Sequence, residues 1–338
     1  MNVLRQNVGI DIAKDSFVAT VTVLFEGQII NHLNTKLFKN KTEGFEDFCQ
    51  WVYNLTDKSI DVNYTMEATG VYYEGLAYYL WNKKEIVHVL LPNKAKNFAQ
   101  SLNIKSKTDK IDSQILGQMG AERVLERWNL SSPIYRKLRT LTRERQQIVK
   151  ERTRCKNQLH AETHKAESLK TTINRYKRHI KYLIKLIITI EKEIKRIISK
   201  DAYLVAKIIK MKTIPGISNV SAATIVAETA GFVNIKNTRQ LVSYAGYDIV
   251  LKESGMSKGK TRISKKGNSR IRHALFMVAL TAKTHSKTMN EFYERLNTKK
   301  NNGMISLTAV QRKILALMYT LWKTDSVYIE HYEKLKAC

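Results

Sequence analysis

No glycine occurs between Gly120 and Gly216, and the only prolines in that span are Pro133 and Pro215. Glycine and proline are the residues least tolerated inside helices, so this stretch confines the middle of the chain to long helices. The apolar positions agree. Ile134, Leu138, Leu141, Arg145, Ile148, Arg152, Cys155 and Leu159 follow one another at alternating steps of four and three. The pattern resumes more strongly at Ile173, Tyr176, Ile180, Leu183, Ile187, Ile190, Ile194 and Ile197. That alternation is the seam of a left-handed coiled coil. It is weakest at Glu162 and Ala166, which predicts a bend or hairpin over 160–172, and Arg145 and Arg152 weaken its first half. The segment reads as scaffold, either a helix pair within the chain or a contact in a dimer. Its lysines and arginines read first as a solvated face and second as a nucleic-acid contact.

Charge divides the chain along the same lines. Residues 1–125 carry 14 basic and 14 acidic side chains, whereas residues 126–338 carry 44 and 16, so the whole net charge of +28 lies in the latter. A neutral part joined to a strongly basic one suggests chemistry in the first and phosphate gripping in the second. A ribosome-associated protein and a membrane-surface binder are the alternatives that charge leaves open. The 3 cysteines, Cys49, Cys155 and Cys338, are far apart and odd in number. They predict neither a disulfide framework nor a zinc site, and a reducing, cytoplasmic setting. The opening "MNVLRQNVGIDIAKD" has no apolar signal core. The run "YLIKLIITIEKEI" is too short and too charged to span a bilayer, so no membrane partner is expected. The 8 histidines show no metal-ligand spacing.

Within the neutral part, residues 6–35 read as three short strands, with Gly27 turning the chain between the last two. A helix follows from about Thr42, placed as its N-cap, with Phe45, Phe48, Val52 and Leu55 on one face. Then come a strand "VNYTMEA", a helix through "YYEGLAYYLWNKK", a strand "IVHVLL", a helix opened by Pro92, and a helix over about 109–125. A three-strand meander followed by alternating helix and strand is the order of the ribonuclease-H-like fold. The expected class is α/β plus α. A mixed-sheet domain (1–128) is followed by a helical coiled-coil linker (129–211) and a mostly helical carboxyl-terminal domain (212–338).

That fold sets the end of the first strand beside the end of the fourth, where Asp11 and Glu67 lie. Asp11 stands in the apolar "VGIDIA", and a buried carboxylate is costly unless it is paired or metal-bound. Asp109 and Asp112, three residues apart in "KSKTDKIDSQIL", share a helix face. Four such oxygen donors suit Mg²⁺ better than zinc, and two bound ions can assist both oxygens at a phosphodiester. Salt bridges to lysines such as Lys14 and Lys110 are the plainer alternative. Farther along, "KTIPGISNVSAATIVAETAGF" reads as a helix–hairpin–helix around Gly216, whose helix amides could meet backbone phosphate. Ser218 stands where that hairpin usually has a second glycine, and a plain αα-turn is the competing reading. The run "KGKTRISKKGNSRIR", 258–272, holds seven lysines and arginines and no acid. It reads as a phosphate-gripping segment, or else as a basic loop.

"GIDIAK", "MEATG" and "KTDKIDSQIL" resemble the acidic motifs of the DEDD-type insertion-sequence transposases, whose first domain is similar to the RuvC resolvase. "AGYDIVLKESGMSKGKTRISKKGNSRIRHAL" resembles that family's second hallmark, and the likeness extends over essentially the whole chain. The resemblance implies a recombinase that moves DNA between target and donor sites, guided in some members by a structured RNA, the bridge RNA. It implies catalytic, Mg²⁺-binding acids at Asp11, Glu67, Asp109 and Asp112, and a catalytic serine at Ser254 that forms a covalent serine–DNA intermediate. A serine hydroxyl needs activation to attack at neutral pH. Ser257 and Ser264 are its competitors. Nucleic-acid contacts are expected at Lys258, Lys260, Arg262, Lys265, Lys266, Arg270, Arg272 and Gly216. The linker suggests a homo-oligomer, a dimer or tetramer, in which the acidic and serine domains form a composite site. Two departures stand out: Asp248-Ile249 where proline is frequent, and Ser113 where alanine is common. The competing readings are a metal-dependent junction or flap nuclease without a serine step, and a non-catalytic nucleic-acid chaperone.

Overall fold

In the strand around "NVGIDI", alternate residues face opposite sides of the sheet, and the two sides differ in chemistry. The computed structural model describes residues 2–251, 253–254, 257–259 and 261–331. The chain divides between Leu130 and Ser131 into two units, each with its own core. The first unit runs β1 (Val3–Ile12), β2 (Ser16–Phe25), β3 (Ile29–Lys39), α1 (Thr42–Leu55), β4 (Val62–Glu67), α2 (Glu74–Asn82), β5 (Ile86–Leu90), α3 (Pro92–Ser101) and α4 (Asp109–Glu122). Its sheet has the order β3-β2-β1-β4-β5. β1, β2 and β3 are antiparallel neighbours, and β4 and β5 continue parallel to β1. This is the ribonuclease-H-like arrangement expected from the order of elements.

Val8, Ile10, Phe17, Val21, Tyr64 and Met66 fill the apolar face against Phe45, Phe48 and Val52 of α1 and Leu76 and Leu80 of α2. Phe17 stacks on Phe38 at 5.4 Å and meets Phe48 edge-on at 5.2 Å. Each such side chain contributes about 1.5–3 kcal/mol by leaving water. The other face carries Asn7, Gly9, Thr20, Thr22 and Thr65, and it receives α4. α1 begins at Thr42 with Lys41, not Thr42, in the capping position, and no side chain caps it. The Lys41 carbonyl already accepts the Phe45 amide at 3.0 Å, so the helix starts one residue earlier than the threonine suggested.

The second unit contains α5 (Pro133–Thr163), α6 (Lys170–Ser199), α7 (Ala202–Met211), α8 (Asn219–Glu228) and α9 (Thr238–Ala245). Four two-residue strands follow: β6 (Ile249–Val250), β7 (Glu253–Ser254), β8 (Ser257–Lys258) and β9 (Arg262–Ile263). It closes with α10 (Ser269–His285), α11 (Lys287–Lys300) and α12 (Gly303–Thr324). α5 and α6 fold back on one another within the chain. Ile180, Leu183, Ile187, Ile190 and Ile194 are buried along α6. The turn forms where the seam is weakest, and Glu162 holds it by accepting from Lys165 Nζ at 2.6 Å and from the Leu169 amide at 3.3 Å. Arg145, the misfit in the seam, donates across to Glu191 Oε1 at 2.7 Å. Between α7 and α12, buried Lys207 donates to the Trp322 carbonyl at 2.7 Å and pairs with Asp325 at 2.9 Å. Among the described residues, no helix is long and apolar enough to cross a membrane.

Candidate functional site

Parallel pairing of β1 with β4 matches Ile10 to Met66. The next residue on each strand is the acid, so Asp11 and Glu67 stand side by side at the ends of two neighbouring strands. In β1, Asn7, Gly9 and Asp11 share one face, and α4 lies on it because that face has almost no side-chain volume. A Cβ on Gly9 would overlap the Gly117 amide nitrogen and the Ser113 carbonyl oxygen of α4. One on Gly117 would overlap the Thr22 hydroxyl. Polar contacts then fix the register of helix on strand. Asn7 Nδ2 donates to the Gly117 carbonyl at 3.1 Å, and Thr65 Oγ1 donates to Asn7 Oδ1 at 2.9 Å. Ser113 Oγ lies 2.7 Å from Thr20 Oγ1 and donates to the Lys110 carbonyl at 2.8 Å. The serine that departs from the usual alanine is therefore fully partnered. α4 starts at Asp109 behind the Thr108 cap, and its first turn carries Asp109 and Asp112 to the strand ends.

The four acids share one electrostatic neighbourhood. Asp11 is pushed up to about 6, first by burial and then by the charges of Asp112, Asp109 and Glu67, with Lys107 acting against them. Burial also raises Asp112, opposed by Lys107 and reinforced by Glu67 and Asp109. Glu67 Oε1 accepts from the Thr69 hydroxyl at 2.9 Å. Among the described residues, no group of three ligating side chains stands in chelating geometry. The donor set still fits a hard divalent cation: it is all oxygen, and burial together with the neighbouring carboxylates raises Asp11, a cost that a bound cation would relieve. A carboxyl whose folded value is above its unfolded one of 3.8 costs stability as pH rises from there through about 6. Asp11→Asn is therefore expected to raise the melting temperature in chelator at pH 7.5 by a few degrees. Added Mg²⁺ should then stabilise the wild type and not the variant. Equal responses of the two proteins to Mg²⁺ in thermal melts would count against the cation site.

The second unit presents Ser254 on a small hairpin. Ser254 pairs with Ser257 and Glu253 with Lys258 near the tip, while Ile249 pairs with Ile263 and Val250 with Arg262 nearer the base. Ser254 is exposed, whereas Ser264 Oγ is buried without a partner among the described residues. At the base the Ser264 amide donates to the Asp248 carbonyl at 2.7 Å and the Asn268 amide to the Tyr244 carbonyl at 2.7 Å. The two sides interlock through glycines. A Cβ on Gly267 would lie 2.6 Å from the Gly246 nitrogen, and one on Gly246 would lie 2.7 Å from Arg272 Nη1. That close approach gives a physical reason for Ala-Gly at one end of the segment and Gly-Asn at the other.

The basic side chains divide by position. Arg262, Lys265 and Lys266 are exposed around the hairpin. Lys258 belongs to β8 by its backbone, and Lys260 lies outside the described residues. Arg272 turns inward and donates to the Ala245 carbonyl at 2.6 Å. Gly216 has φ +89 and packs under α10, 2.7 Å from the Val278 carbonyl to a built Cβ. Ser218, the missing glycine of the hairpin motif, caps α8 in a reciprocal pair with Ser221.

Of the lysines that flank Asp109 and Asp112 in the sequence, Lys107 is the one that acts on both Asp11 and Asp112. Sequence reasoning passed over Glu228. That side chain, 1 % exposed, accepts from Arg143 Nε at 2.8 Å, from Arg143 Nη2 at 2.9 Å and from Asn268 Nδ2 at 2.8 Å. The Tyr244 hydroxyl donates to the Glu228 carbonyl at 2.8 Å. Both ends of the serine hairpin are thus tied to one residue, one through its backbone carbonyl and the other through its buried carboxylate.

A ribonuclease-H-like domain that gathers four acids at its strand ends, followed by a helical basic unit, defines a class of nucleic-acid-processing enzymes. Two family models narrow it. The DEDD transposase model of the IS110 group matches residues 8–163, and the model described as transposase IS116/IS110/IS902 family matches residues 210–294. The chain belongs to this family of transposases. Pilin gene-inverting proteins of Moraxella bovis and Moraxella lacunata are each 27% identical over 321 residues, spanning 93% of this chain and 94% of theirs. Among solved structures, Thermus thermophilus RuvC aligns over 36% of this chain and 99% of its own at 10% identity, with a TM-score of 0.29. The fold assignment rests on the strand order and directions themselves.

Proposed function

We propose that the protein is a DNA recombinase whose Ser254 attacks a scissile phosphate, with Mg²⁺ held by Asp11, Glu67, Asp109 and Asp112. The observation that carries this reading is the convergence of those four acids on one neighbourhood, set by a glycine-lined contact of helix on strand. The relatives are named for inverting a gene segment, a reaction that cuts and rejoins DNA, and family membership extends that chemistry to this chain. Bound at the acids, Mg²⁺ would supply positive charge to the oxygens that gain charge during transfer. In the step itself Ser254 Oγ bonds to phosphorus as the bond from phosphorus to one bridging deoxyribose oxygen breaks, and the proton lost by the serine is balanced by one gained by that oxygen, which leaves as a hydroxyl. Attack by a deoxyribose hydroxyl of another strand reverses the step and frees the serine, so phosphodiester energy is conserved without ATP. Exposure of Ser254, against the buried Ser264 hydroxyl, favours the former as nucleophile. The basic residues around the hairpin hold the DNA backbone, and a structured guide RNA selects the sites. The α5–α6 pair serves as the element through which copies of the chain assemble.

Ser254→Ala and Asp11→Asn are the deciding variants. With a nicked duplex bearing the element's junction, wild type should leave a detergent-resistant protein–DNA adduct. Ser254→Ala should form none while keeping its Mg²⁺-dependent thermal shift, and Asp11→Asn should lose both. Undiminished cleavage by Ser254→Ala would instead establish a metal-dependent nuclease without a serine step.

A further inference from the structure

A cleft of about 280 Å³ opens in the second unit between α5, α8 and α10. Arg145, Gln146, Ser218, Ser221, Arg270 and His273 are among the residues that line it. Its donors are unspent. Among the described residues the side chains of Gln146, Arg270 and His273 donate no hydrogen bond within the fold, and Arg145 uses only its Nε, on Glu191. The one buried acid at the cleft is Glu228, and its oxygens are already taken by Arg143 and Asn268. Arg270 therefore reaches Glu228 only at 4.0 Å. Burial first, and then the charges of Lys150 and Arg145, hold His273 below its usual range. The Ser218 end of α8 adds a helix N-terminus to the same wall, a place that favours anions.

The geometry points to this cleft as a binding site for a backbone phosphate of double-stranded DNA, held by Arg145 and Arg270 with Gln146 and His273 at its rim. Two guanidiniums whose Nε atoms face acids of the fold but whose terminal nitrogens, among the described residues, make no hydrogen bond in it suit phosphate oxygens. Such a contact positions the duplex without reading its sequence. The assignment rests on the proposed DNA function and adds to it a cleft beside the base of the serine hairpin, where Arg145 of α5 joins Arg270. It also accounts for Arg145, which fits a heptad seam poorly and a phosphate well.

The test is binding of the full chain to a duplex of unrelated sequence in chelator, between about 50 and 200 mM salt, where counterion release counts phosphate contacts. Arg145→Gln with Arg270→Gln should bind about tenfold more weakly and lose about 1 from the slope of log affinity against log salt. Gln146→Ala with His273→Ala alters only rim side chains without partners in the fold, and should give a smaller loss at unchanged melting temperature. Unchanged affinity and slope in both double variants would overturn the site. So would a loss confined to an RNA duplex, or millimolar inorganic phosphate shifting the His273 ring resonances while duplex DNA does not. No strand is cut in chelator, so a missing serine adduct with these losses intact would condemn the proposed reaction and not the cleft.

Discussion

Gly9→Ala should abolish DNA strand transfer. A methyl group at that position would overlap backbone atoms of α4, the Gly117 nitrogen and the Ser113 carbonyl oxygen, and backbone cannot rotate away as a side chain can. The helix must lift from the strand. Overpacking of this kind costs about 1–3 kcal/mol and sometimes more, and the lift also breaks the Asn7 and Ser113 contacts that set the helix register. Asp109 and Asp112 ride on the first turn of that helix, so they move away from Asp11. A displacement of about 1 Å at a reacting centre can cost on the order of 100-fold in rate. Gly75→Ala is the matched control, since its new methyl would find Phe45 at an ordinary 3.6 Å. Adduct formation, Mg²⁺-dependent melting and the titration of Asp11 should all be lost or relaxed in the first variant and kept in the second. Wild-type activity in Gly9→Ala would remove the helix-on-strand contact as the device that assembles the acids.

The same contact shows where sequence reading reaches and where it stops. "NVGIDIA" is legible as a strand because it is a short apolar run, and Asp11 stands out because it is a carboxylate within that run. The pairing of Asp11 with Glu67 follows from the order of elements, since a meander followed by a parallel crossover brings those two strand ends together. Gly9 and Gly117, by contrast, look like weak points in a strand and a helix until the two are seen to touch. The long helices follow from the missing glycines, and the turn at 163–170 from the lapse in the seam. Thr42 misleads because Ser, Thr, Asp and Asn favour N-caps only on average, whereas here the Lys41 carbonyl has already taken the first helical bond. Arg272 reads as one more cation in a basic run, yet the structure folds it back onto the Ala245 carbonyl. Glu228 lies in "IVAETAGF", where a single acid looks like the solvated face of a helix. Its partner Arg143 is 85 residues away, and no local pattern records a contact of that range.

Glu228→Ala should be the most destabilising single change in the second unit. Removing one member of a buried pair costs about 3–5 kcal/mol when the other charge stays buried. Arg143 is 40 % exposed and can find water, so a loss of about 2–3 kcal/mol is expected, with Asn268 and the base of the serine hairpin released as well. Glu228→Gln keeps the shape and one acceptor and should lose less. The difference between wild type and Gln should depend on pH. Burial alone would raise the Glu228 carboxyl, but the hydrogen bonds from Arg143 and Asn268 and the charges of Arg143 and Arg139 outweigh it and hold it below its ordinary value of 4.5. A carboxyl depressed in the folded state stabilises fully above its unfolded value, and the gain disappears as pH falls through the folded one. Melting of wild type should therefore exceed that of Glu228→Gln at pH 7, and the gap should narrow below about pH 4.5. Because the Glu228 carboxylate holds Asn268 at one end of the hairpin, the Gln variant should also form its serine adduct more slowly at a temperature where it is fully folded. Identical melting curves for the two proteins from pH 7 down to pH 4 would show that the carboxylate is not what holds Asn268 and Arg143 in place.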